Sequence, residues 1–251
     1  MGYRADIGVF GGSGFYSFLD NVREVEIETP YGKPSDKISL AEVEGKIVAF
    51  IPRHSKEHSY PPHLIPYRAN MYAMKMLGVK CIIAPTASGS LRYDIKPGDF
   101  VICNDFVDRT WGRKDTYFES PVTKHISSVD IYDKELRRLA LEVCKGLEIS
   151  VHDKGTVVVI QGPRFSSKAE SKWYREMGCD VINMTQYPEC YLAKELEIPY
   201  ANIALITDYD AGLDDNDAVK PVTEDEVYKV FSQNNEKVKK VLFEMIKKIN
   251  I

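Results

Sequence analysis

The sequence predicts an α/β domain with a mixed central β-sheet flanked by helices. Three observations carry this. Short apolar, β-prone runs alternate with amphipathic stretches along nearly the whole chain. One early pair of strands flanks Glu44-Gly45, a hairpin signal that adds an antiparallel component. Several strand-like runs end in glycine-rich or polar turns, the place where open α/β sheets hold their ligands.

At 251 residues, 44% hydrophobic and 28% charged, the chain can bury a substantial core, and residues 1–251 are expected to form a single domain. The net charge of −4 carries no basic footprint for nucleic acid. No apolar run is long enough to span a bilayer. The five cysteines are scattered and form no Cys-x-x-Cys pair, so they are expected to be reduced core thiols of a cytoplasmic protein.

In chain order, Ile7-Gly8-Val9-Phe10 reads as a buried strand running into Gly11-Gly12-Ser13-Gly14. Such a turn can present N–H groups to an anion, or it can be an ordinary βα connection. It matches neither a Walker loop nor a dinucleotide fingerprint. Lys37 to Val43 and Lys46 to Ile51 make the hairpin. The second strand feeds Pro52-Arg53-His54-Ser55-Lys56-Glu57-His58-Ser59-Tyr60-Pro61-Pro62-His63. The prolines break up any zinc-binding helix, and no metal is expected. Arg53 and His54 suit an oxyanion, because a guanidinium fork matches phosphate; a solvated basic loop is the alternative.

Leu64 to Leu77 has helical periodicity with Gly78 as its stop. Lys80 to Ala84 is a strand entering a small-residue loop, Pro85-Thr86-Ala87-Ser88-Gly89-Ser90-Leu91. Phe100 to Cys103 is a strand, and Asp108 to Pro121 is expected to be a long loop of the kind that forms lids, with His125 just beyond it. Lys134 to Leu147 is a helix and Lys154 to Ile160 a strand. Ser167-Lys168-Ala169-Glu170 has the form of a capping box, as does Thr223-Glu224-Asp225-Glu226. Asp180 to Thr185 is a short strand, Glu189 to Leu196 a helix, and the chain closes with an amphipathic helix to about Lys248.

The stretch Ala201-Asn202-Ile203-Ala204-Leu205-Ile206-Thr207-Asp208-Tyr209-Asp210 ends an apolar strand in two carboxylates. At i, i+2 in an extended strand they would share a face. They are either paired acids aimed at a crevice or two solvated acids at a turn. If the strands run the same way, the polar ends gather on one edge: Ser13, Arg53, His54, Thr86 and Thr185 as an oxyanion site, Phe165 and Met184 as an apolar floor, Asp208 and Asp210 as paired acids. Such a crevice would hold phosphate and a heterocyclic base together.

The motifs Gly11-Gly12-Ser13-Gly14, Pro30-Tyr31-Gly32-Lys33-Pro34-Ser35-Asp36, Arg53-His54, Thr86 to Leu91, Asp108-Arg109-Thr110, Gly162-Pro163-Arg164-Phe165-Ser166-Ser167, Asn183-Met184-Thr185 and Thr207 to Asp210 resemble, in this order, the 5′-methylthioadenosine phosphorylase family. That family belongs to the trimeric branch of the purine nucleoside phosphorylases. The resemblance covers nearly the whole chain and implies a nucleoside phosphorylase-like fold and a homotrimer or dimer of trimers. It implies no cofactor beyond inorganic phosphate as co-substrate, and no nucleic-acid or membrane partner. Carried over by position, Ser13, Arg53, His54, Thr86, Ala87 and Thr185 would hold phosphate. Phe165 would pack on the purine and Met184 lie under the ribose. Asp208 would act as the acid at N7 with a raised pKa, Asp210 would accept from the 6-amino group, and His125 would cross from a neighbouring subunit.

The resemblance implies phosphorolysis of 5′-methylthioadenosine to adenine and 5-methylthioribose 1-phosphate. The alternative is a 6-oxopurine nucleoside or 5′-methylthioinosine phosphorylase. Enzymes for 6-oxopurines in this family typically carry Asn where Asp208 stands and Glu where Ser166 stands, so this sequence points to adenine. It departs from the family's usual pattern at Gln186-Tyr187, at Tyr191 and at Asp214-Asp215-Asn216-Asp217. A non-catalytic nucleoside- or phosphate-binding module on the same scaffold is the reading from a different class.

Overall fold

The computed structural model describes residues 2–12, 15, 19–213 and 221–251. Ser13 and Asp214-Asp215-Asn216-Asp217 lie outside the described residues. Among the described residues, eleven strands form one mixed sheet around β5 (Cys81–Ser90). On the side of β1 (Ile7–Gly11) the order continues through β4 (Lys46–Pro52), β3 (Ile38–Val43) and β2 (Arg23–Val25). At its far end β5 meets β10 (Val181–Asn183), which leads to β9 (Thr156–Ile160) and β7 (Asp105–Arg109). Its other edge pairs with β11 (Tyr200–Asp208), followed by β6 (Phe100–Ile102) and β8 (Val151–His152).

Local chemistry explains many element ends. The β3–β4 hairpin turns at Glu44 and Gly45, both with positive φ (52° and 74°), as a two-residue loop of the right twist requires. The helix α1 (Tyr67–Leu77) starts after Pro66, whose missing N–H suits a helix start, and a 3₁₀ turn at Pro62–Leu64 replaces the expected first turn. Gly78 closes it in the left-handed region. The helix α2 (Lys134–Gly146) is capped by the Asp133 side chain, and α3 (Lys168–Glu176) by the full Ser167–Glu170 capping box. At the start of α5 (Glu224–Lys248) the Thr223 hydroxyl accepts the Glu226 N–H.

Strand parity sorts the side chains onto two faces. Ile82, Ala84, Ala204 and Ile206 face α1 and α4 (Gln186–Glu195), packing with Met71, Met74, Leu192 and Ala193. Cys81, Ile83, Ala201, Ile203 and Leu205 face α2 and α5, packing with Ala140, Val143, Val241 and Met245. All five cysteines are buried free thiols. Among the described residues, no helix is long and apolar enough to cross a membrane.

Several expectations are corrected. Residues 85–90 are not a loop; they continue β5. Small residues with free N–H groups suit a loop, but here one edge of that segment is paired along β11. Asp105–Arg109 forms a strand, so the long irregular segment begins only after Arg109. Its first residues are pinned rather than free, since Arg113 donates to the carbonyls of Gln161 (2.9 Å) and Met184 (3.0 Å). The strands are not all co-directional. β4, β1, β5 and β11 run parallel, whereas β10 runs antiparallel to β5.

Candidate active site

The mixed directions create the site. β1 pairs with β5 only as far as Ile83, and β10 joins the same edge only at Gly89. Between them, residues 84–88 have β11 on one side and a notch on the other. β1 and β4 deliver their carboxyl ends to this notch from one direction, and β10 delivers Asn183, Met184 and Thr185 from the opposite one. Two sets of strand ends therefore converge from opposite sides on the middle of β5.

Arg53 plugs the splayed corner of the notch, fully buried. Its Nη1 donates to the carbonyls of Phe10 (3.2 Å) and Pro85 (3.0 Å). Nε and Nη2 donate to the two carboxylate oxygens of Glu189, each at 2.7 Å. A guanidinium has five N–H donors, so one remains for a ligand. The expected phosphate fork is corrected on this point: the fork faces Glu189, and the pair carries no net charge. Burial alone would push the Arg53 pKa down; the adjoining Glu189 carboxylate more than reverses this and holds the guanidinium charged.

His54 sits beside it, with Nδ1 2.7 Å from the Tyr60 carbonyl and its ring 4.7 Å from that of His58. Burial pushes its pKa down to about 4, so the ring is neutral near pH 7. A carbonyl can only accept, so Nδ1 carries the proton and Nε2 keeps a lone pair. Thr86, Ala87 and Ser88 line the cavity from β5, and Thr185 lines it from the start of α4. Thr185 gives no side-chain cap to that helix.

At the other end of the same cavity lies Asp208, 7% exposed. It accepts from the Thr207 hydroxyl and from the Asp210 N–H, both at 2.7 Å. Burial raises its pKa to about 6; those two hydrogen bonds pull the other way, and the charge of Asp210 adds to the rise. Asp210 does not continue the strand. It occupies a turn with φ 49°, so the two acids meet through a local backbone-to-carboxylate bond, not through a shared strand face. Burial also raises the Asp210 pKa, against the pull of the Ser171 hydroxyl. Asp210 Oδ2 and Ser166 Oγ are buried without hydrogen-bond partners among the described residues. Buried polar atoms left unpaired call for a ligand or water. Phe165, Met184, Ile160 and Pro163 supply the apolar wall between the two ends.

Gly89 makes the acid position possible. A Cβ there would lie 2.7 Å from Asp208 Oδ1 and 3.0 Å from Ile182. Gly89→Ala is expected to push the Asp208 carboxylate aside. Steady-state rates should fall by about 10²-fold, the scale of a 1 Å misplacement, with helix content by circular dichroism unchanged.

His125 is exposed and does not line the cavity of its own chain. The lining residues that were not expected include His58, and Glu224, Val227 and Tyr228 from the first turns of α5. The cap and the apolar stripe of α5 are legible in the sequence, and that stripe signals core. Glu189 could have been found as an acid three and four residues before apolar Leu192 and Ala193. Among the described residues, no group of three or more His, Cys, Asp or Glu is placed to hold a metal ion.

A mixed sheet that converges on a hydroxyl-lined notch, with a protonatable carboxyl pair at the far end of one cavity, defines a nucleoside phosphorylase-like α/β protein. Residues 6–247 match the family model of the phosphorylase superfamily, and the chain belongs to that family. It is 48% identical to the S-methyl-5′-thioadenosine phosphorylase of Thermofilum pendens over 248 residues, covering 98% of this chain and 93% of that one. It is 45% identical to a purine nucleoside phosphorylase of Streptomyces coelicolor over 251 residues, covering 97% and 89%. The methylthioadenosine phosphorylase from Schistosoma mansoni, solved with adenine, superposes with a TM-score of 0.91 at 34% identity, covering 97% of this chain and 91% of that one.

Proposed function

We propose that this chain cleaves 5′-methylthioadenosine with inorganic phosphate, giving adenine and 5-methylthioribose 1-phosphate. The observation that carries the proposal is Asp208: a buried carboxyl with a raised pKa, in the same cavity as the notch over β5. The relatives named for methylthioadenosine support the substrate.

In this reaction a phosphate oxygen attacks C1′ as the bond from C1′ to the purine N9 breaks. The electron pair of that bond enters the purine, and the Asp208 proton passes to N7. Such acid catalysis contributes ~10²–10⁴-fold. Asp210, with its unpartnered Oδ2, accepts from the 6-amino group. Thr86, Thr185, the Ala87 backbone, Ser13 and the remaining Arg53 N–H hold phosphate. A neutral His54 accepts a P–OH proton through Nε2. Because Glu189 already balances Arg53, the anion is held mainly by neutral donors. Phe165 covers the purine and Met184 underlies the ribose. The enzyme acts in the cytoplasm as a trimer, His125 of one subunit bordering the 5′ group bound by the next, and needs no cofactor.

A substrate panel read as free base released tests the proposal. Methylthioadenosine should be cleaved far faster than methylthioinosine or inosine, and only with phosphate. A strong inosine preference would establish the 6-oxopurine reading, which the Streptomyces coelicolor relative favours by its name. The pH profile is a second check. Asp208 must be protonated, so kcat/KM for the nucleoside should fall as pH rises through about 6. Saturation with phosphate, an anion in the same cavity, should move that limb upward. A rate that rises across this range would remove Asp208 as the acid.

A further inference from the structure

We propose that Asn202 is a positioning residue that makes the Thr86 hydroxyl a hydrogen-bond donor towards phosphate; this rests on the phosphorolytic function above. Asn202 lies in the middle of β11, fully buried, between apolar Ala201 and Ile203. Parity puts it on the sheet face of Ala204 and Ile206, the face of the notch. Its Nδ2 donates to the Ala84 carbonyl at 2.8 Å and to Thr86 Oγ1 at 3.1 Å. Its Oδ1 is buried with no hydrogen-bond partner among the described residues.

The amide cannot be turned round. Oδ1 would then face the Ala84 carbonyl, and two acceptors cannot bond. An amide half-satisfied in the core of a strand is destabilising relative to an apolar residue. The position therefore returns something other than stability, and the polar groups it reaches are the Ala84 carbonyl and Thr86.

A hydroxyl has one proton and two lone pairs. Asn202 fills one lone pair of Thr86 Oγ1 from behind, so the Thr86 proton must point elsewhere. Ser88 Oγ lies 3.3 Å away, where either hydroxyl can donate to the other, and Ser88 too has an amide behind it, Asn183 Nδ2 at 3.4 Å. Thr86 and Ser88 both line the cavity. One of the two hydroxyl protons can join the pair, so the amide donors behind them leave at least one directed at the notch. Phosphate needs donors there, because Arg53 is balanced by Glu189 and His54 is neutral. Without the Asn202 N–H, only Ser88 sets the direction of the Thr86 proton.

The test is a double-mutant cycle of Asn202→Leu and Thr86→Val. It is read as KM for phosphate, KM for nucleoside and Tm, together with calorimetric titration of inorganic phosphate. Asn202→Leu keeps the branched shape and removes the donor. It should raise KM for phosphate about tenfold, the value of one hydrogen bond to an anion, and leave KM for the nucleoside unchanged. Asn202→Asp, of the same shape but an acceptor, should weaken phosphate more. In the Thr86→Val background, Asn202→Leu should add nothing. Additive losses, equal changes in both KM values, or an unchanged phosphate KM would overturn the proposal. If Asn202→Leu does not fold, Asn202→Ser is titrated with phosphate against the same expectations. Failure of the functional reading is seen separately, as wild-type protein that releases no base. The phosphate titration alone then decides: weaker binding in the Asn202 variant sustains the role, and no wild-type binding removes it.

Discussion

Asp208→Asn should lower kcat/KM for methylthioadenosine by about 10²- to 10⁴-fold while making the protein more stable above pH 6. The two effects share one cause. The folded chain holds the Asp208 carboxyl in a buried place, so its pKa is about 6 against an ordinary 3.8. Between those values the folded protein keeps a proton that the unfolded chain has lost. The contribution of this group to stability therefore falls as pH rises through that window and stays lost above it. The difference corresponds to about 3 kcal/mol. An amide removes the titration. Its oxygen can still accept the Asp210 N–H, and its nitrogen can donate to the Thr207 hydroxyl in place of accepting from it. The variant should gain stability in urea at pH 8 and none at pH 4, with the crystal structure of the site unchanged. It should also cleave 6-oxopurines relatively better, since an amide can donate to O6. A variant with intact methylthioadenosine activity, or one destabilised equally at both pH values, would refute the role of Asp208 as the buried acid.

What the sequence made legible is what local chemistry decides. Glu44-Gly45 can turn only one way, Ser167 and Glu170 cap each other three residues apart, and Gly78 ends a helix because it tolerates positive φ. The polar ends of β1, β4, β10 and β11 were found for the same reason, and except for Ser13, which is not described, the expected residues of one chain meet in one cavity. His125 was expected to serve a neighbour, and it stands outside its own chain's cavity. Long-range relations were not legible. Thr86 and Ala87 look like loop residues because nothing local says that β1 and β10 stop short and leave their edge open. The direction of β10 is set by its crossover, not by its three residues. Arg53 looked like a bare anion ligand because its partner lies 136 residues away. Hydrophobic periodicity marked α5 as core and hid the three side chains of its first turns that reach the cavity. Asn202 sits in an apolar run, and its role depends on Thr86, a partner 116 residues away in the chain.

Glu189→Ala should destabilise the protein by about 3–5 kcal/mol, the usual consequence of stranding one member of a buried ion pair. Arg53 is 0% and Glu189 2% exposed, so water screens the charge left behind poorly. A guanidinium cannot escape by losing its proton. The Tyr200 hydroxyl, 2.7 Å from Glu189 Oε1, would lose its acceptor as well. Against a total stability of about 5–15 kcal/mol, the single change approaches the limit of folding. Glu189→Gln keeps one acceptor and should lie between the two. The double variant Arg53→Met with Glu189→Leu should recover most of the loss, because well-packed apolar side chains often replace a buried pair at little net change. It should still bind phosphate poorly. Arg53 ties the Phe10 and Pro85 carbonyls of β1 and β5, and Glu189 ties α4, whose first turn presents Thr185. The pair thus fixes three walls of the notch relative to one another. Urea denaturation of the three variants measures stability, and calorimetric titration of inorganic phosphate measures the notch. A loss below about 1 kcal/mol for Glu189→Ala, the range of a surface pair, would show that the charge left on Arg53 finds water and that the corner is not sealed. Full phosphate affinity in the double variant would show that the pair stabilises the fold without shaping the site.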